Sequence, residues 1–168
     1  MKIFVMNGQC CVGKDTLQQM IREEVPDGVL VAKISMVDFA KQFAENYLDW
    51  NGEKTPKARK MLSDLKDLLD DWMDASYKDV KETLKLLEED GFDIVFIDAR
   101  EPEDIKRLVD DFSAETILIK RGEIKDHGNH ADNNVFNYEY DYVIENDGTL
   151  DDLRETAKNF IKEYLTFN

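Results

Sequence analysis

The segment Gly8-Gln9-Cys10-Cys11-Val12-Gly13-Lys14-Asp15-Thr16 follows the apolar run Ile3-Phe4-Val5-Met6 and precedes a stretch patterned like a helix. No other feature constrains the chain as much. Glycines at this spacing let backbone N–H groups curl around a phosphate chain, while a lysine just after them reaches the outer phosphate oxygens. The helix that follows adds the positive end of its dipole. An ordinary glycine-rich turn from strand to helix is the bland alternative, and the flanking strand and helix make a chance match much rarer. Directly after the lysine, where a magnesium-binding Ser or Thr is usual, stands Asp15, with Thr16 one position later. Thr16 at the helix start can reach a phosphate oxygen, and Asp15 can hold magnesium through water.

Short β-rich runs alternate with helical patterns, which is the order of a parallel sheet built from βαβ units. Strands are expected at about residues 2–7, 29–34, 93–98, 116–120 and 140–144. Helices are expected at about 14–25, from a Ser35/Asp38 capping box to about Trp50, then at about 55–75, 76–90, 102–112 and 149–165. Pro102 suits a first helical turn, and Thr149 caps the last helix. Met61, Leu62, Leu65, Leu68, Leu69, Trp72 and Met73 recur at helical spacing, and Trp50 and Trp72 are read as core side chains. Tyr138, Tyr140 and Tyr142 alternate as on a strand edge. The roughly sixty residues between the second and third strands are too many for one crossover. They form a helical insertion, about residues 36–90, that starts and ends near the sheet edge where ligands bind.

At 168 residues the chain fits one compact domain with a covered sheet. No apolar run is long enough to cross a bilayer, and the start lacks the order of a signal peptide, so the expected location is the cytoplasm. Cys10 and Cys11 are adjacent, unlike a disulfide framework, and are read as small apolar fillers in a reducing compartment, with redox control as the alternative. A net charge of −15 argues against a nucleic-acid-binding surface, which needs a basic footprint. It leaves room for a small anionic ligand in a local positive cleft.

Such a cleft is sought at strand ends. Arg100 lies two residues beyond the third strand, and its planar fork suits a phosphate monoester; pairing with Glu101 or Glu103 is the alternative. Asp98 ends that strand, where a carboxylate can order magnesium-bound water or simply cap the strand. Arg121 follows the fourth strand and opens the polar segment of about residues 121–139, where Gly122 and Gly128 are available as hinges for a lid that excludes water. Lys54, Lys57, Arg59 and Lys60 cluster at a helix start, against the helix dipole, which favours an anion there; a solvated face paired with Glu53 and Asp64 is the alternative, and Lys41 is a weaker case. His127-x-x-His130-x-Asp132 can be written as a metal site, but loop-like flanks and the lack of a cysteine argue against it.

With these residues placed, the chain resembles the phage-type deoxynucleoside monophosphate kinase branch of the P-loop kinases, nearly end to end. The likeness rests on Gly8 to Thr16, Ser35 to Lys41, Asn51-Gly52 leading into Lys57-Ala58-Arg59-Lys60-Met61-Leu62, Asp98-Ala99-Arg100-Glu101-Pro102, Asn129-His130-Ala131-Asp132 and Asn146-Asp147-Gly148-Thr149-Leu150. Characterised members carry Asp-Val-Arg-Phe-Pro-like text where this chain has Glu101 before Pro102. The resemblance implies a three-layer α/β P-loop NTPase fold, a five-stranded parallel sheet flanked by helices, with a helical acceptor-site insertion and a lid. It implies ATP and Mg2+ as cofactors, with ATP phosphates at Gly8, Gly13, Lys14, Asp15 and Thr16 and the donor adenine near Asn146 and Gly148. Metal contacts fall to Asp15, Thr16 and Asp98, acceptor contacts to Asp38, Lys41, Arg59, Lys60 and Arg100, and charge neutralisation to Lys14, Arg100 and Arg121. The expected reaction converts a nucleoside or deoxynucleoside monophosphate to the diphosphate. A kinase of another small phosphorylated metabolite and a non-catalytic nucleotide-binding module are the alternatives. The expected partners are a small phosphate acceptor and, at most, a second copy in a homodimer, with neither nucleic acid nor membrane.

Overall fold

The computed structural model describes residues 1–122 and 134–164. Residues 123–133, where the lid is expected, with Gly128 and the His127, His130 and Asp132 pattern, lie outside the described residues, as does Leu165, expected on the last helix. The elements run β1 (Lys2–Gly8), α1 (Lys14–Glu24), β2 (Val31–Ser35), α2 (Asp38–Tyr47), α3 (Pro56–Met73), α4 (Ala75–Glu89), β3 (Ile94–Asp98), α5 (Pro102–Phe112), β4 (Glu115–Lys120), β5 (Tyr142–Glu145) and α6 (Leu150–Tyr164). A short 3-10 turn, Asn134–Phe136, precedes β5.

The expected three-layer α/β fold is present: a five-stranded parallel sheet in the order β2-β3-β1-β4-β5. The central strand β1 pairs with β3 through Phe4↔Phe96 and Met6↔Asp98, and with β4 through Met6↔Ile117 and Gly8↔Ile119. Strand residues alternate faces. Phe4, Met6, Phe96, Ile117 and Ile119 meet Leu17 and Ile21 of α1 and Leu153, Ala157 and Phe160 of α6. The rings of Phe4 and Phe160 meet edge to face at 5.2 Å, so the final helix is locked to the first strand by aromatic packing. The alternate residues Val5, Val95, Ile97 and Leu118 are also buried, and α5, which packs on β1 and β4, contributes Ile105 and Leu108. A central parallel strand covered on both faces reads as a continuous apolar run, which is why Ile3-Phe4-Val5-Met6 marks the strand so clearly.

By contacts the chain divides into two compact units, Met1–Lys33 with Phe92–Asn168, and Ile34–Gly91. The second holds α2, α3 and α4, and α3 packs on both of the others. At α2 the predicted box is half realised: Asp38 accepts from the Ser35 N–H at 2.7 Å, but the helix is capped at Val37, without a side-chain cap, and ends at Tyr47 rather than near Trp50. At α3 Thr55 accepts from the Ala58 N–H at 3.1 Å and Pro56 occupies the first turn, a well-formed start.

Three expectations are corrected here. Trp72 does not fill a core: it is 84% exposed, and Leu68 is 65% exposed. The apolar stripe of α3 extends beyond the part that α2 and α4 cover. Tyr138 and Tyr140 do not alternate on a strand, because β5 begins only at Tyr142. Tyr140 instead turns its hydroxyl inward, donating to the Val135 carbonyl at 2.8 Å. Cys10 and Cys11 are not buried fillers, since Cys11 is exposed and Cys10 half-buried, with their sulfurs 3.2 Å apart. No helix among the described residues is long and apolar enough to cross a membrane.

Candidate phosphate-binding site

The loop between β1 and α1 is shaped by two glycines that have no room for a side chain. A Cβ on Gly8 would meet the Ile119 carbonyl oxygen at 2.8 Å and Val12 Cγ2 at 2.9 Å. A Cβ on Gly13 would stand 2.4 Å from the Asn146 amide nitrogen, and the Gly13 backbone is left-handed, with φ of 95°. Gly13 caps α1 without any side-chain bond to the helix N–H groups. The positive end of α1 therefore opens onto the loop with Lys14 as its first residue.

Two buried amides hold this loop, and a third holds the end of β3. Asn7, at the end of β1, accepts from the Gly8 N–H at 2.8 Å, donates to the Arg100 carbonyl at 3.2 Å and donates to the Tyr140 hydroxyl at 2.7 Å. Asn146, just beyond β5, donates to the Val12 carbonyl at 2.8 Å, and its own N–H donates to the Lys120 carbonyl at 2.8 Å. Gln18, buried on α1, donates to Asp98 Oδ1 at 2.8 Å, while its Oε1 has no protein partner among the described residues. Buried polar groups usually find partners, so each of these amides holds its neighbours in register.

At the mouth of the loop four charges meet. Lys14 Nζ lies 2.5 Å from Asp98 Oδ2, with both side chains largely buried at 16% and 13% exposure. Lys33 of β2 approaches the same Asp98 oxygen at 3.3 Å and also pairs with Asp15. Burial pushes the Lys14 ammonium below the ordinary lysine range, and attraction to Asp98 only partly restores it. At Lys33 burial opposes the charge as well, but the hydrogen bond to Asp15 and the pull of both carboxylates outweigh it, so its pKa lies above the ordinary value. A lysine loosely committed to its charge and one firmly committed thus share Asp98.

The structure brings together Gly8, Gly13, Lys14, Asp15, Asp98 and Asn146 in the first unit. Thr16 is exposed on the first turn of α1. Arg100 is half-buried beyond β3, its carbonyl held by Asn7, and Arg121 is exposed beyond β4. Gly148 lies at the start of α6, where Thr149 and Asp152 form a reciprocal cap and the Thr149 N–H and hydroxyl hold the Asp152 carboxyl below its usual range.

Asp38, Lys41, Arg59 and Lys60 belong to the second unit. There Lys41 pairs with Asp38 at 2.7 Å and Lys60 pairs with Asp64 at 2.6 Å, each within one helix. Nearby, burial raises the Asp79 carboxyl above its usual range, and the charges of Asp38 and Glu82 raise it further. Sequence reading missed Asn7, Gln18 and above all Lys33. The signal for Lys33 is strand order: β2 lies beside β3, and Asp98 ends β3.

No family model and no curated protein sequence matches the chain. Among solved structures it is similar to APS kinase from Mycobacterium tuberculosis, at 12% identity and a TM-score of 0.48, covering 96% of this chain and 97% of that one. It is similar to a sugar kinase from a Janibacter species, at 16% identity and a TM-score of 0.48, covering 98% and 96%. It is also similar to shikimate kinase from Aquifex aeolicus, at 13% identity and a TM-score of 0.47, covering 97% and 99%.

Proposed function

We propose that the protein is a phosphotransferase that moves the γ-phosphoryl of Mg-ATP to a nucleoside or deoxynucleoside monophosphate. The observation that carries this reading is the meeting of Lys14, Asp98, Lys33 and Asp15 at the mouth of a loop whose glycines admit no Cβ. A backbone cradle beside an uncapped helix start suits a phosphate chain.

The donor set fits magnesium. Asp15 and Asp98 supply hard oxygen ligands, and Mg2+ is commonly held by one or two carboxylates together with nucleotide phosphates. Gln18 Oε1, buried beside Asp98 and without a protein partner among the described residues, is an acceptor for a metal-bound water. Bound there, the ion would neutralise charge on the phosphates during transfer.

The chain's own residues do the rest. Lys14 exchanges Asp98 for phosphate oxygens, which offer its ammonium another charged acceptor. Arg100 holds the acceptor phosphate with its fork, and Arg121 approaches the transferring group from the end of β4. Asn146 supports the loop at Val12 and, with Gly148, borders the donor base. Asp38, Lys41, Arg59 and Lys60 carry the acceptor reading from sequence alone.

Incubation with Mg-ATP and a panel of ribo- and deoxynucleoside monophosphates, read by mass spectrometry, tests the proposal. The expected result is ADP together with one or two new nucleoside diphosphates. ADP without any diphosphate would transfer the reading to another phosphorylated acceptor, and ATP binding without turnover would leave a nucleotide-binding module.

A further inference from the structure

Lys33 has no part in the phosphate-loop motif, yet it touches both carboxylates on which a metal would depend. Its ammonium pairs with Asp15 and lies 3.3 Å from Asp98 Oδ2. One nitrogen in contact with two carboxylates means that their oxygens face a common point, where a single cation bridges them. With Lys14 also on Asp98, two ammonium groups balance two carboxylates. A free divalent ion arriving there meets a neutral cluster and competes with the lysines for the oxygens of both carboxylates. The unusual residue after Lys14 is part of the same arrangement, because Asp15 brings to the helix start a negative charge that Ser or Thr would not.

We propose that Lys33 is the resident counter-cation of the Asp15–Asp98 pair, keeping divalent metal off these carboxylates until nucleotide phosphates draw the ammonium groups away. Lys33 is thereby a positioning residue that makes metal binding conditional on nucleotide. The inference rests on the Mg-nucleotide reading above for the identity of the ion. In the nucleotide-free site the metal has no net charge to enter. When a triphosphate occupies the loop, Lys14 and Lys33 have phosphate oxygens as alternative partners, and the carboxylates are released to a hydrated ion. Lys33 is 42% exposed on its side chain, so it can move without opening the core.

Titration of the nucleotide-free protein with Mn2+, read by electron paramagnetic resonance, tests this without any turnover. Lys33→Gln should bind Mn2+ at least about tenfold more tightly than the unaltered protein, and Lys33→Arg should restore the weak binding. Adding ATP should narrow the difference between the unaltered protein and Lys33→Gln. Circular dichroism establishes that each variant is folded. Should Lys33→Gln not fold, Lys33→Met takes its place in the same comparison, and tight Mn2+ binding by the unaltered protein without nucleotide overturns the proposal in any case. Equal Mn2+ affinity of Lys33→Gln and the unaltered protein, or weaker binding by the variant, also overturns it. These results are independent of the acceptor panel, whose failure would strike the phosphotransfer reading and leave the Mn2+ comparison intact.

Discussion

Charges in the two units are used in different ways. In the first unit Lys14, Lys33, Asp15 and Asp98 come from a helix start and two strands, and two of them are largely buried. In the second unit Lys60 pairs with Asp64 on α3 and Lys85 with Glu89 on α4, each an exposed pair one turn apart on its own helix. Pairs of the latter kind add a few tenths of a kcal/mol to a helix, roughly, and vanish from view when salt is raised. The cluster assembled across sheet order sets two ammonium groups from different elements at one largely buried carboxylate. Buried amides add to it in the first unit, where Asn7 and Asn146 bond the loop and Gln18 bonds Asp98. The difference teaches that tertiary structure can gather a few lysines of a strongly acidic chain at one point, where they balance its carboxylates.

Substitutions in the two regions should differ in size accordingly. The largest effect is expected at Gly13→Ala, which forces a side chain into a left-handed backbone and against the Asn146 amide. Strain plus loss of the Asn146 to Val12 bond should cost about 2–4 kcal/mol in a denaturant melt. A cost near zero would mean that the loop is not held from α6's side at all.

An intermediate effect belongs to Tyr140. Burial pushes its hydroxyl up to about 12 from an ordinary 10.0, despite the Asn7 hydrogen bond that favours ionisation. The folded state therefore keeps a proton that the unfolded chain loses near pH 10, and stability should fall progressively as pH rises from about 10 to about 12. Thermal melts across that range should show a flatter decline for Tyr140→Phe than for the unaltered protein. Parallel declines would remove Tyr140 from the account. The smallest effect is expected at Lys60→Ala, at about 0.5 kcal/mol or less, because its partner Asp64 is equally exposed. A loss several times larger would erase the contrast between the units.

Much of the architecture was legible because it is written in local pattern. The apolar run of β1, the glycine-lysine turn and the Thr55-Pro56 start of α3 each contain their own cause within a few residues. Trp72 was misread because helical spacing marks a stripe without saying how much of it a neighbour covers. Tyr140 was misread because alternation of tyrosines resembles a strand until its hydroxyl is seen to bond Asn7. Lys14, Asp15 and Asp98 were legible one by one, since each stands at a strand end or helix start. Lys33 was not, because a lysine in a short alternating strand reads as solvent-facing until the neighbouring strand is known. Its two partners lie on elements that only the strand order β2-β3-β1 brings beside it.

The central claim is that the Gly8–Thr16 loop and its lysine bind a nucleotide's phosphates. Calorimetric titration of ATP in magnesium buffer against the unaltered protein and Lys14→Met measures it most directly, with circular dichroism establishing that both are folded. The expected result is saturable binding by the unaltered protein and at least about tenfold weaker binding by the variant. Equal affinities, or no binding by the unaltered protein, would contradict it.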